Sequence, residues 1–171
     1  MKALIGLGNP GKGYDGTRHN VGFEVVDAVK RRVKSGVLQF VKPSTFMNRS
    51  GEAVKKLLDQ GTAASEMLIV CDDMSLPLGR LRFRRKGSSG GHNGLQSVID
   101  AAGDEVARLR IGIKPEAEVK DWPKFVLEKF DAQERPILDA SILKAAEAVL
   151  YWTENGIDAA MNIYNSKEEQ S

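Results

Sequence analysis

A single-domain α/β protein with a mostly parallel sheet is the fold class this sequence predicts, and three observations predict it. Short apolar runs at 2–7 ("KALIGL") and 67–72 ("MLIVCD") read as strands, the second apolar enough to be buried on both faces. Stretches with apolar residues at helical spacing stand between the strands. No repeat, low-complexity segment or linker divides the 171 residues. Strands alternating with helices build a three-layer α/β/α sandwich around a twisted, mixed but mostly parallel sheet. The domain is expected to cover residues 1–165, with 166–171 as a disordered tail.

Each element has its own signal. After the first strand a loop runs to about residue 18. Residues 20–34 read as a helix, with Val21, Val25, Val29 and Val33 four apart and Val26 beside them. "GVLQFV" (36–41) is a second strand, stopped by Pro43. A helix from about Ser50 to Gln60 turns Val54, Leu57 and Leu58 inward and stops at Gly61. "GRLRFRRK" (79–86) alternates as a half-exposed strand does, with Leu81 and Phe83 toward the core and Arg80, Arg82 and Arg84 away from it. "GSSGGHNG" (87–94) is a glycine-rich loop, and Asn93 is placed to cap a helix carrying Leu95, Val98, Ile99 and Ala102. "ARLRIGI" (107–113) alternates again, and 114–130 is irregular, a candidate lid. A long helix covers 132–154, with Ile142, Ala145, Ala146, Val149 and Trp152 on one side and Gly156 at its end; a short helix then reaches Tyr164.

Composition removes several function classes. Hydrophobic residues make up 42% and charged residues 28%, as in ordinary globular proteins. No apolar run approaches the roughly 20 residues that span a bilayer. The stretch after Met1 is too short and too glycine-rich for a signal peptide, so a cytoplasmic protein without a membrane partner is expected. The single Cys71 permits no internal disulfide and reads as a small buried hydrophobe. One cysteine and two histidines without ligand-like spacing argue against a structural zinc site.

"LIGLGNPGKGYDGTRHN" (4–20) contains Gly6-x-Gly8-x-x-Gly11, a literal dinucleotide fingerprint. That motif requires a helix starting inside the glycine loop and an acid at the end of the second strand. Here helical spacing begins near residue 20, and the second strand ends in Val41-Lys42-Pro43. No nicotinamide or flavin cofactor is therefore expected. The glycines let a tight loop pass over the strand end.

Ligands on open α/β sheets bind at the carboxyl ends of the parallel strands. The loops there carry Asn9 and His19, then Thr45, Met47 and Asn48, then Asp72 and Asp73, then His92 and Asn93. Histidine works as a general base near neutral pH, and at a helix start the dipole favours its neutral form. Asp72, ending a buried strand, is the natural carboxylate to orient it. Asparagine amides hold a carbonyl or an oxyanion without titrating. No nucleophile elbow is present, and Ser88 and Ser89 sit in flexible glycine context, so direct attack by water is the simpler chemistry. Plainer roles stand beside these: a cap or surface position for either histidine, a supporting or exposed acid for Asp73, packing for Phe46 and Met47.

Five of the seven residues 80–86 are cationic and none is acidic. Arg108 and Arg110 alternate in the same way on the later strand. Two strands of same-side arginines form either a surface for RNA or another polyphosphate, or a solvated face protecting a sheet edge.

Five segments, "GLGNPGKGYDGTRHNVGF", "KPSTFMNRSG", "DDMSLPLGRLRFR", "GSSGGHNGL" and "RLRIGI", stand in the order seen in bacterial-type peptidyl-tRNA hydrolases, and the chain resembles that family over nearly its whole length. The resemblance implies a monomeric, metal-independent, cofactor-free esterase that cleaves the bond between a peptide and the 3′ ribose of tRNA. It implies catalytic roles for His19 as base, Asp72 as its orienting carboxylate, and Asn9. Asn9, Asn48 and Asn93 would hold the peptide backbone and the tetrahedral intermediate, and Tyr14, Met47 and His92 would line the crevice. Arg84 and Arg110 would clamp the tRNA 5′ phosphate, with Arg82, Arg85 and Lys86 on the same cationic surface. Peptidyl-tRNA, met through its acceptor stem and 3′ end, is the implied partner. The alternative within this family is a catalytically silent RNA-binding splicing cofactor, a role taken by organellar relatives. The stretch between the first helix and Lys42 is shorter than in typical members, so a smaller sheet edge and lower stability are expected, with the site intact.

Overall fold

The structure, a computed structural model, describes residues 1–165. Five strands lie in the order β2-β1-β3-β5-β4, where β1 is Ala3–Gly6, β2 Gln39–Val41, β3 Met67–Pro77, β4 Leu81–Arg84 and β5 Ala107–Lys114. All neighbours are parallel except β4, which runs antiparallel to β5 at one edge. The mixed, mostly parallel sheet is as the sequence predicts.

The period of two along β1 and β3 divides the core into two layers. Leu4, Leu68 and Val70 join α1 (Val21–Lys30) and α5 (Glu134–Asn155) through Val25, Val29, Ala145, Val149 and Trp152. Ile5, Ile69 and Cys71 face the other way, onto α2 (Gly51–Asp59) and α3 (Asn93–Ala102), with Val54, Leu57, Leu95 and Val98. The short α6 (Ile157–Tyr164) packs beside β4. The expected tail, 166–171, lies outside the described residues. No helix is long and apolar enough to cross a membrane among the described residues.

The fingerprint glycines serve helix packing. A Cβ on Gly6 would run into the carbonyl of Gly22, and one on Gly22 into the carbonyls of Val70 and Leu7. The helix α1 can therefore sit directly on the end of the sheet, and it starts ten residues after Gly11.

Several boundaries differ from expectation, each for a local reason. The first helix ends at Lys30 rather than 34, and Val33 packs on the core from the turn that follows. Gly36, at φ 87°, occupies a turn, so β2 begins at Gln39 rather than 36. It is a three-residue edge strand, joined to α1 by the turns of residues 31–38. Strand β3 continues past residue 72 to Pro77, because β5 still pairs with it after β1 has ended at Gly6. The cap of α3 is His92 rather than Asn93: His92 is extended (φ −82°, ψ 111°) and its ring accepts the Leu95 N–H. Residues 114–130 are not irregular throughout. Asp121 accepts the Lys124 N–H and Pro123 stands in the first turn, which nucleates the short helix α4 (Trp122–Val126).

Candidate active site

Three loops close around the carboxyl end of β1. Asn9 follows that strand, and its main chain is gripped at both ends by the buried Asn20: Asn9 N donates to Asn20 Oδ1 at 2.8 Å and Asn20 Nδ2 to Asn9 O at 2.9 Å. The Asn9 side chain is thereby held still. Its Oδ1 accepts from Met47 N at 2.8 Å, which ties the 46–49 loop to β1. Its Nδ2 has no partner among the described residues and remains a free donor.

Asp72 stands on β3 one strand end beyond its neighbour β1, so its side chain opens into the crevice while remaining buried. Two histidines converge on it. His19 Nδ1 lies 2.9 Å from both carboxylate oxygens, and His92 Nε2 lies 2.8 Å from Oδ1. The hydrogen-bond pattern assigns the protons. His92 Nδ1 already accepts from Leu95 N at 3.0 Å, so in the neutral ring its proton sits on Nε2 and points to Asp72. His19 donates from Nδ1, which leaves Nε2 as a basic lone pair, and its side chain is 15% exposed.

The electrostatics follow from this arrangement. Burial would raise the Asp72 carboxyl, but the two rings outweigh it and hold the group well below the ordinary carboxylate range. Burial would lower the His19 ring, but the charge and hydrogen bond of Asp72 outweigh it and leave the ring above 6.5. This corrects the expectation that a helix start keeps His19 neutral. The residue occupies a 3-10 turn, Arg18–Asn20, ahead of α1, and the carboxylate dominates. Burial beside Asp72 pushes the Cys71 thiol up to about 12, as suits a packed, inert side chain.

His19, Asp72 and His92 each offer one ligand atom within 4.8 Å of the others, the donor set of a two-histidine, one-carboxylate metal site. As arranged, both rings spend a proton on the carboxylate, and the second nitrogen of His92 caps α3. A cation would have to displace both protons, whereas the hydrogen-bonded triad is complete in itself.

The crevice of about 250 Å³ is lined by His19, Asp72, Met74, Asn93, Trp122 and Leu127 among others, so α4 forms its apolar wall. Tyr14 and the exposed Phe46 meet edge to face at 6.0 Å, on the two loops that Asn9 joins. Met47 does not project into the opening: it is 5% exposed and packs beneath Gly94, where a Cβ would strike its sulfur. Asn48 and Asn93 are both exposed, Asn48 on the turn just after Met47 and Asn93 on the crevice lining. Asp73 is buried rather than exposed, with Oδ1 accepting from Ser75 N and Oγ.

The arginines do not form one uniform face. In register, Arg82 pairs with Arg110 and Arg84 with Arg108 across β4 and β5. Arg82 and Arg84 are half-buried, while Arg85 and Lys86 are exposed and Arg85 meets Asp158 at 3.6 Å. Arg108 is completely buried, contrary to the expected shared surface. Its guanidinium donates to the carbonyls of Gly87, Ser88, Asp104 and Val106, a network that holds the glycine loop against the sheet.

Sequence reasoning missed two supports. Asn20 locks the Asn9 backbone; its place next to His19 was the available signal. Arg18, 6% exposed, donates from Nη2 to Glu134 at 2.6 Å and from Nη1 to Phe125 O at 3.0 Å, and lies 3.6 Å from the Phe125 ring centre. With Arg18 N on Glu128 O, this latches the α4 segment onto the loop carrying His19. No local pattern marks Glu134 as its partner.

Comparison with known proteins places this geometry. Residues 3–171 match the family model described as peptidyl-tRNA hydrolase. A peptidyl-tRNA hydrolase of Fervidobacterium nodosum is 43% identical over 178 residues, covering 96% of each chain. One of Chlorobium luteolum is 43% identical over 190 residues, covering 99% of this chain and 100% of its own. The crystal structure of peptidyl-tRNA hydrolase from Acinetobacter baumannii superposes with a TM-score of 0.87 at 29% identity, covering 97% of this chain and 95% of that one. A [NiFe] hydrogenase maturation protease from Thermococcus kodakarensis, at 11% identity and a TM-score of 0.54, shares the fold alone. On the match of family model and relatives over nearly the whole chain, it belongs to the peptidyl-tRNA hydrolase family.

Proposed function

We propose that this chain hydrolyses the ester between a peptide, or an N-blocked amino acid, and the 3′ ribose of tRNA, with His19 as the base that activates water. The observation that carries the mechanism is the His19–Asp72 contact: Nδ1 is 2.9 Å from a buried carboxylate, and Nε2 is left as the basic atom at the crevice. Nε2 takes a proton as the water oxygen bonds to the ester carbon. The imidazolium that forms is stabilised by Asp72. The carbonyl oxygen becomes an oxyanion, to which the Nδ2–H of Asn9, left free by the bond of its Oδ1 to Met47 N, donates in this reading. Collapse of the intermediate breaks the bond to the ribose oxygen, and the His19 imidazolium returns its proton there. The products are the free peptide acid and tRNA with its 3′ hydroxyl restored.

Asn48 and Asn93 hold the peptide backbone in this reading, Tyr14 shapes the crevice, and His92 keeps Asp72 oriented. Arg84 and Arg110 meet the 5′ phosphate of the acceptor stem, with Arg82, Arg85 and Lys86 adding positive field. The chain works in the cytoplasm as a monomer, without metal or cofactor. The complete His19–Asp72 pair favours the enzyme over a catalytically silent RNA-binding protein.

The direct test is release of an N-acetylated amino acid from its tRNA ester by the parent and by His19→Ala. Release by the parent alone supports the esterase and its base together. Release at equal rates removes His19 from the mechanism. Release by neither, with tRNA still bound, points to the RNA-binding role.

A further inference from the structure

The two oxygens of Asp73 are unequally served. Oδ1 accepts two hydrogen bonds from Ser75, whereas the buried Oδ2 accepts none among the described residues and faces Arg110 Nη1 at 3.7 Å. The other end of the same guanidinium donates from Nη2 to Ser88 O at 2.9 Å. A Cβ on Gly90 would stand 3.2 Å from Nη1, so the group lies in the bend of the glycine loop. Two residues further on, that loop delivers His92, whose Nε2 holds Asp72. Arg110 thus spans β3 next to the catalytic carboxylate and the loop that carries the histidine gripping it.

The loop needs such outside support. Gly87, Gly90 and Gly91 all have positive φ, and residues with this freedom order at a large entropic cost. Arg108 ties down its first residues from inside the core, at Gly87 and Ser88. Arg110, with its side chain 17% exposed, is the anchor that also reaches the surface.

We propose that Arg110 is a positioning residue for the Asp72–His92 contact, in addition to its contact with phosphate. By holding Ser88 and neutralising Asp73 it sets the loop, the loop sets His92, and His92 sets the carboxylate that orients His19. The phosphate contact rests on the function proposed above, while the positioning role does not need a phosphate in the substrate.

The experiment uses two substrates: an N-acetylaminoacyl-tRNA with its 5′ phosphate, and the same N-acetylaminoacyl ester on a CCA trinucleotide without one. Arg110→Ala and Asp73→Asn are each expected to lower kcat about tenfold on the trinucleotide ester, with KM nearly unchanged, because small misplacements at a reacting centre carry penalties of this order or larger. The double variant is expected to be no slower than the worse single one, the signature of residues acting as a unit. Arg110→Gln, which keeps a donor for Ser88, serves if the alanine variant does not fold. Parent-level kcat on the trinucleotide ester by the folded Arg110 variant overturns the positioning role, and additive losses overturn its route through Asp73. A lowered kcat on both substrates with no rise in KM on full tRNA supports positioning and removes the phosphate contact instead.

Discussion

Arg18 and His19 are neighbours in the chain, yet they use buried charge in opposite ways. Arg18 turns into a dry latch: its guanidinium lies against Phe125 and pairs with Glu134, whose carboxylate is 10% exposed. His19 turns into the crevice, where its partner Asp72 is fully covered but its own ring keeps a 15% exposed edge. Both contacts are short and both partners are distant in sequence. The latch has no proton to pass on, and its charges fix geometry. The crevice pair leaves one ring nitrogen free to take a proton from outside. What separates the two buried pairs here is whether an uncommitted titrating atom faces the crevice.

The largest effects should come from the crevice. His19→Ala should lower kcat by about 10² to 10⁴, the usual worth of general-base catalysis, with tRNA affinity nearly unchanged. Asp72→Asn should fall in the same range, because the amide no longer holds the ring in the tautomer that exposes a basic Nε2. Steady-state kinetics with an independent tRNA-binding assay check both. A loss confined to KM would place the two residues in binding rather than chemistry.

The latch should respond in stability first. Glu134→Leu strands the Arg18 charge among apolar rings and should cost about 3–5 kcal/mol, measured by urea unfolding. Its hydrogen exchange should also rise across 122–130, the segment held by Arg18. A variant as stable as the parent but as slow as His19→Ala would erase the distinction between the two regions.

The pH profile sharpens it further. Only neutral His19 can accept a proton, and Asp72 holds its ring above 6.5, so the acid limb of kcat/KM should lie above that value. In Asp72→Asn the burial of the ring acts alone and the limb should move down; an unmoved limb would assign the titration to another group. For stability the signs differ by partner. The raised His19 contributes fully below 6.5 and loses its contribution as pH rises through its folded value. The depressed Asp72 contributes above its ordinary 3.8 and loses its contribution as pH falls toward its folded value. The contact is one coupled unit, so its stabilisation should be greatest between those limits.

The smallest effect belongs to the surface. Arg84→Ala should raise KM on tRNA modestly and reduce the slope of log KM against log salt by about one, as loss of a single phosphate contact does. An unchanged slope would mean that Arg84 does not touch phosphate.

Much of the fold was legible because its signals are local. Strand runs, helical spacing and glycine stops mark the elements, and strand ends mark where Asn9, His19, Asp72 and His92 converge. The failures share a cause. Alternation on β5 assigned Arg108 and Arg110 to one face but could not reveal that the 87–88 loop and Asp104 cover the first. The preference of asparagine for caps pointed to Asn93, while the ring of His92 took the Leu95 N–H because the preceding loop had already set its backbone. The family resemblance implies Met47 in the crevice lining, but the space left by Gly94 lets it pack in the core, the plainer role its residue type suggests.

By itself the sequence determined the order of elements, the two-sided sheet, the family and the set of polar residues at the strand ends, since each depends on spacing or side-chain type along a short segment. Only the tertiary structure decided which of those groups share protons and which are locked away. Asp72 meets His19 across 53 positions and Arg18 meets Glu134 across 116. At such separations the partner is chosen by helix packing and sheet register, and the burial they create turns a carboxylate and two imidazoles into a connected triad.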